Sequence, residues 1–331
     1  MSQTTAQLIS GTSAQSPTFG ATTVTSLNGG QLAGTRNRII NGAVAVDQRN
    51  AGAAQTFTAA AALAYNVDRW YGYCTGANVT GQQVAGATAG EYRYRFTGAA
   101  SVTAIGFGHR IEQLNSTDLA SSTATLSVDL ANSLLTTVTW TAYYATTANT
   151  FGTLASPTRT QIATGTFTVT STVTRYNTNI SVPAAATTGI EIVFTVGAQT
   201  SGTWTIGNVQ LEPGTVATPF ERRSYGAELA LCQRYATVMP NSGQYGPSGS
   251  LYSTSAGTVF FKFPTTMRTS PTLSNQTTSF EIFGISAVTG TVSTTSINTQ
   301  GIKFDGTSLS SLGVVGQPLA YLGAGILSAE L

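Results

Sequence analysis

Charge is what this 331-residue chain most lacks: Asp, Glu, Lys and Arg together make up 8% of it, roughly a third of the usual share. Fifteen basic against thirteen acidic residues leave a net charge of +2. Such a balance gives no reason to expect nucleic acid or an anionic membrane as a partner. Histidine is nearly absent too, so a Ser-His-Asp or Cys-His site would have to use His109. No G-x-S-x-G elbow, H-E-x-x-H helix or phosphate-cradling glycine loop accompanies it. Of the two cysteines, Cys74 and Cys232 lie far apart and match no metal or redox spacing, so they read as buried free thiols. No apolar run reaches the length that spans a bilayer, and the opening MSQTTAQLIS lacks the basic and hydrophobic regions of a signal peptide. The expectation is a protein without cofactor or metal.

Hydrophobic residues make up 41%, enough for real cores. Thr, Ser, Asn, Gln and Gly take the place of charge on the surface. Thr is β-branched and suits a pleated, half-exposed face, where Lys and Glu would favour helix. The composition points to an all-β fold with many short turns.

Residues 1–35 are rich in Ser, Thr, Gly and Gln, carry no charge and show no period, which predicts an arm that orders only against another chain. From 36 to 216 the text alternates strand and turn. GEYRYRFTG sets Tyr92, Tyr94 and Phe96 against Arg93 and Arg95 with a period of two. SVTAIGFG, ATLSVDL, TTVTWTAYYA, GTFTVTS, GIEIVFTVG and TWTIGNVQLE follow at the spacing of a sandwich. A helical linker is expected over 217–235, with Thr218 as N-cap, Pro219 at the first helical position and Glu221 reaching back. Gly226 weakens that helix and leaves open a turn followed by a start near Ala227. Strands resume over 236–331 in GTVFFKFP, SFEIFGIS, GIKFD and AYLGAGILS, predicting a second β-sandwich domain.

The few charges crowd into 36–118 and 212–234, and there every cation is Arg. Arg suits bidentate, partly buried pairing with carboxylates. Arg38, Arg49, Arg69, Arg222, Arg223 and Arg234 are expected to pair with partners such as Asp47, Asp68, Glu212, Glu221 and Glu228, fixing a joint between arm, sandwich and helix. Ordinary solvated ion pairs are the plainer reading. Glu112 and Asp118 are candidates for the carboxylate pair of a glycan-cleaving enzyme, but most carboxylates here have an Arg close in sequence. His109 reads as a satisfied surface or edge-strand histidine. Among aromatics, Trp70, Tyr71, Tyr73, Tyr143 and Tyr144 stand in strands, where packing is their usual work. Tyr245 and Tyr252 lie in NSGQYGPSGSLYS, a loop-like stretch with little core to offer, and are the candidate ligand-binding pair.

Several segments resemble one recurring architecture. RNRIINGAVAVDQR is similar to the N-R-I-x-N-G-x-x-x-x-Q-R start of a carbohydrate-binding-module-like jelly roll, and VDRWYGY follows at the expected distance. GHRIEQLNSTDLASSTATLSVDL resembles the R-I-E…D-L…T-L-S strand pair. WTIGNVQLEPGTVATPFERRSYGAELALCQRY resembles the Q-L-E-x-G…A-T-P-F-E…E-L-x-L-C-Q-R-Y junction of bacteriophage tail-fibre proteins, and FKFPTTMRTSPTLS with the closing SAEL resembles the β tip domain after it. Many relatives carry a Trp before the penultimate jelly-roll strand; Thr174-Arg175-Tyr176 stands there instead. The resemblance implies a homotrimeric virion protein assembled in the host cytoplasm. Its arm would attach to another virion protein, and its tip would contact host surface glycan. The jelly roll is often a spacer in this family, and no catalytic residues carry over. Three readings stand: a receptor-binding tail fibre, a purely architectural virion protein (capsid decoration, head fibre or tail collar), and a glycan-degrading tailspike.

Overall fold

The computed structural model describes residues 35–60, 62–239, 247–274, 279–282, 286–310, 313–321 and 325–331. The arm, residues 1–34, lies outside them, as does Tyr245. The protein is all-β. Its first twelve strands are β1 (Gln55–Phe57), β2 (Ala64–Tyr65), β3 (Trp70–Thr75), β4 (Val79–Ala85), β5 (Tyr92–Thr97), β6 (Ala104–Ile111), β7 (Thr123–Asn132), β8 (Thr137–Ala145), β9 (Arg159–Thr168), β10 (Thr174–Ser181), β11 (Ile190–Val196) and β12 (Thr203–Pro213). They form two antiparallel six-stranded sheets, ordered β1-β4-β5-β12-β7-β10 and β2-β3-β6-β11-β8-β9. Inward residues of both sheets meet in one jelly-roll core. Trp70 stacks on Phe107 with ring centroids 4.7 Å apart, Tyr94 on Phe107 at 4.9 Å and Phe96 on Trp204 at 5.3 Å. Tyr94 and Phe107 come from opposite sheets and join the layers face to face, while the other two pairs stack side by side within one sheet.

Period-two alternation explains most of this. Tyr94 and Phe96 point inward while Arg93 and Arg95 take the outer face of β5. Strand β7 departs from the usual half-exposed pattern, because every residue after Thr123 is buried. The chain after β12 crosses its outer face: the Thr125 hydroxyl donates to the Gly214 carbonyl at 2.8 Å, and the Asn179 amide to the Thr215 carbonyl at 3.0 Å.

The helix is shorter than the sequence suggests. Helix α1 spans Tyr225–Gln233, and Thr218 is not its cap. The Thr218 hydroxyl donates to Glu212 at 2.6 Å, the Glu221 N–H donates to the Gln210 side chain at 2.8 Å, and the Glu221 carboxylate accepts the Asn37 N–H at 2.7 Å. Residues of the expected capping box are thus engaged with β12 and the entering chain, and the helix begins after them. Gly226 sits inside it.

The second β unit has ten strands among the described residues: β13 (Ala236–Met239), β14 (Ser248–Ser253), β15 (Ala256–Lys262), β16 (Thr272–Ser274), β17 (Ser279–Ile282), β18 (Ser286–Thr289), β19 (Thr291–Ile297), β20 (Gly301–Thr307), β21 (Pro318–Tyr321) and β22 (Gly325–Ser328). A three-stranded sheet, β13-β22-β16, and a seven-stranded sheet, β18-β17-β21-β14-β15-β20-β19, enclose one core. AYLGAGILS therefore serves two sheets, with Ala320 and Tyr321 in β21 and Gly325 to Ser328 in β22. Tyr252 belongs to β14 rather than to a loop, since Ser248–Leu251 pair with β15 on one side and Ser248–Ser250 with β21 on the other.

Candidate functional site

The outer face of the seven-stranded sheet presents two exposed aromatics. On β14, Ser248, Ser250 and Tyr252 point outward while Leu251 enters the core. On β15, Val259 is buried and Phe260 faces out opposite Ser248, with Lys303 of β20 on its other side. Tyr252 is 55% exposed and Phe260 58%. Four residues of strand separate Tyr252 from the position opposite Phe260, roughly 13 Å at ~3.3 Å per residue. Between them the Thr258 hydroxyl donates to Asp305, which Lys303 approaches at 3.6 Å. A pocket of about 380 Å³ adjoins Phe260, lined also by Lys262, Asn298, Gln300 and Lys303. Flat apolar rings flanked by hydroxyls, amides and a carboxylate make the surface that a saccharide needs: ring faces stack and hydroxyls exchange hydrogen bonds. Sequence reasoning missed Phe260. The signal was present, since alternation from buried Val259 sends one of the two adjacent phenylalanines outward.

The sandwich aromatics are mostly committed to packing. Trp70 is core. Tyr71 and Tyr73 lie flat across β6, where a Cβ on Gly108 or Gly106 would fall 2.2 Å and 2.1 Å from their rings. The Tyr71 hydroxyl donates to Glu191 at 2.7 Å, and Arg110 binds the same carboxylate at 2.7 Å. Arg159 pairs with Glu191 as well and covers the Tyr143 ring at 4.0 Å. Tyr73 and Tyr143 stay partly exposed. Arg175 reaches Asp129 at 3.0 Å, and Tyr176 packs on Phe167 with centroids 5.4 Å apart.

The arginines expected at the joint mostly take partners other than the expected ones. Only Arg223 takes an expected one, Glu228, at 3.2 Å. Arg38 pairs with Asp118, Arg49 and Arg69 with Glu330, Arg222 with Glu91, and Arg234 with Glu112. Arg69 is fully buried, has a positive φ of 71°, and lies 3.6 Å from the Tyr235 ring centroid. The remaining carboxylates receive other donors. Asp47 accepts the N–H groups of Asn50 and Gly52 at 3.1 and 2.8 Å. Asp68 accepts the Gln48 N–H at 2.6 Å and its amide at 2.9 Å, while that amide also donates to the Ala236 carbonyl. Glu212 holds Thr218, and Glu228 also accepts the Asn41 N–H. Ile40, Val46, Cys232 and Tyr235 form a small core beneath this network.

His109 is neither on the surface nor on an edge. It is fully buried on β6, between β3 and β11, with its Nε2 3.0 Å from the Ile40 carbonyl. Burial, with Arg69 nearby, pushes its pKa well below the usual value and keeps it neutral. Both cysteines are free and buried. Glu112 is tied by Arg234 and by the Tyr235 hydroxyl at 2.8 Å, and Asp118 by Arg38 at 2.5 Å. Asp118 lines a pocket of about 620 Å³ together with Arg38, Asn115, Leu114 and Leu231. Among the described residues no group of His, Cys, Asp and Glu could hold a metal, and no helix is long and apolar enough to cross a membrane.

No protein-family model matches the sequence, nor does any curated protein. Its structural neighbours are carbohydrate-binding modules and a phage tailspike domain. The enzymatically active domain of tailspike protein 4 from Bacteriophage CBA120 is 19% identical, with a TM-score of 0.35, covering 54% of this chain and 21% of that one. This chain thus spans about a fifth of the tailspike domain. TmCBM61, in complex with β-1,4-galactotriose, is 12% identical over 54% of this chain and all of its own, at 0.35. A family 11 carbohydrate-binding module from Clostridium thermocellum, bound to a mixed-linked tetrasaccharide, is 14% identical over 47% and 97%, at 0.30. None is similar enough to transfer a residue's role.

Proposed function

We propose that this chain is a structural and host-attachment component of a bacteriophage particle, a homotrimeric tail fibre whose second β unit reads cell-surface glycan without cleaving it. Residues 1–35 would join it to another virion protein. The observation that carries the glycan reading is the exposed Tyr252–Phe260 face, where hydroxyls and a Lys303–Asp305 pair accompany two aromatic rings. A very low charge leaves aromatics and hydroxyls as the contact chemistry, which suits neutral sugars. Each site would be weak; three copies per fibre supply avidity. Non-cleavage is supported by Glu112 and Asp118 each being held by an arginine.

Labelled full-length protein on host cells tests this reading. Binding should disappear after mild periodate, which cleaves the vicinal diols of surface sugars, and fall at least tenfold in Phe260→Ala and Tyr252→Ala. A purely architectural role is the second reading, favoured by the same exposed ring if Phe260 packs against another copy. In that case Phe260→Ala would shift the sedimenting species to smaller mass and leave nothing to lose on cells.

A further inference from the structure

Arg95 stands apart from its kind. Every other arginine among the described residues holds a carboxylate or carbonyl oxygen. The side chain of Arg95, exposed on the outer face of β5, has neither hydrogen bond nor ion pair among the described residues. A chain this poor in charge leaves one guanidinium unpaired, and it lines a pocket of about 240 Å³ with Arg93, Thr205, Val84 and Val173.

The pocket is built rather than incidental. Arg93, two residues earlier and on the same face, crosses β12 above Gly207, where a Cβ would fall 2.3 Å from its Cδ. It reaches Asp129 at 2.8 Å. Asp129 also accepts Arg175 at 3.0 Å and the Asn208 amide at 2.9 Å, so both of its oxygens are engaged with donors other than Arg95. Glu91, near the far wall, is held by Arg222. Arg93 is 7% exposed and its Nε has no partner. Thr205 sits directly opposite Arg95 in the register and adds a hydroxyl. Val173, 46% exposed, supplies an apolar wall.

We infer that this pocket of the jelly roll binds a sugar ring bearing a carboxylate, a uronic or sialic acid residue. The planar fork of Arg95 pairs with the carboxylate, Val173 receives the apolar ring edge, and Thr205 with Arg93 takes hydroxyl groups. At 240 Å³ the space falls below that of drug-sized ligands, so it admits one ring and not an extended chain. The site lies in the other β unit from Tyr252 and Phe260 and stands or falls independently of them.

Titration calorimetry on the full-length protein tests it, with trigalacturonate and 3′-sialyllactose as probes, against the trigalacturonate methyl ester and lactose. At least one carboxylated probe should bind tenfold or more tightly than its neutral counterpart, and increasingly weakly as salt rises. Arg95→Ala should abolish that difference and Arg95→Lys restore part of it, with unchanged thermal midpoints, while Phe260→Ala should leave it intact. Equal binding of acid and ester, no heat from either acid at millimolar concentration, or retention of the difference in Arg95→Ala overturns the assignment. So does a fall in sedimenting mass in Arg95→Ala, which would give Arg95 a carboxylate of another copy instead.

Discussion

Individual residues here are tuned mainly by burial. Asp68 is the clearest case: burial outweighs the Gln48 hydrogen bonds and the charge of Arg49 and pushes its pKa up to about 7 from 3.8. An unfolded Asp68 loses its proton near pH 4, while the folded one keeps it to about 7. Between those values folding takes up a proton, so this residue's contribution makes stability fall as pH rises from about 4 to 7 and then level off. His109 acts the other way, because a histidine held neutral costs stability as pH falls through its unfolded value near 6.5. Asp68→Asn keeps His109 and isolates the first effect. Urea midpoints at pH 5 and pH 8 should show the wild type losing ground to the variant at the higher pH; parallel pH profiles would contradict the raised pKa.

At the scale of elements, sheet faces decide what a substitution does. Gly108→Ala would drive a methyl into the Tyr71 ring, whose hydroxyl anchors Glu191, and should cost about 1–3 kcal/mol. Gly226→Ala in α1 meets nothing within 4 Å and should stabilise by up to ~1 kcal/mol. Chemical denaturation of both variants checks the opposite signs. The strands themselves were legible, because alternation such as Tyr94 and Phe96 against Arg93 and Arg95 survives in the fold. Three things were not. The capping box at Thr218 is a local signal overruled by distant partners on β12. The burial of β7 on both faces depends on the chain that crosses it, which no period reports. His109 looked like an edge residue because its neighbours on β3 and β11 are remote in sequence.

On the scale of the whole molecule, the two β units are clamped rather than strung together. The Glu330 side chain is 5% exposed and pairs with Arg49 and Arg69 of the sandwich; the Leu331 carbonyl accepts Tyr65 and Arg110; and Arg268 holds the carbonyls of Ala329 and Glu330. Arg49 lies 281 residues from Glu330, which is why sequence proximity chose the wrong partners. Glu330→Ala leaves two arginines without a carboxylate and should cost about 3–5 kcal/mol. Calorimetry should then resolve a separate, earlier melting of the second unit, whereas an unchanged single transition would deny the clamp. Such a clamp fixes the Tyr252–Phe260 face relative to the jelly roll. It also makes the full chain the proper test object.

The most direct test of the proposed host attachment is competition for adsorption between the purified protein and phage particles that carry it, as that proposal requires. The account predicts that wild-type protein slows adsorption in a dose-dependent way, and that Phe260→Ala, equally folded and equally assembled, does not. Wild-type protein that leaves adsorption untouched at saturating concentration, or a Phe260→Ala protein that competes as well as wild type, would contradict it.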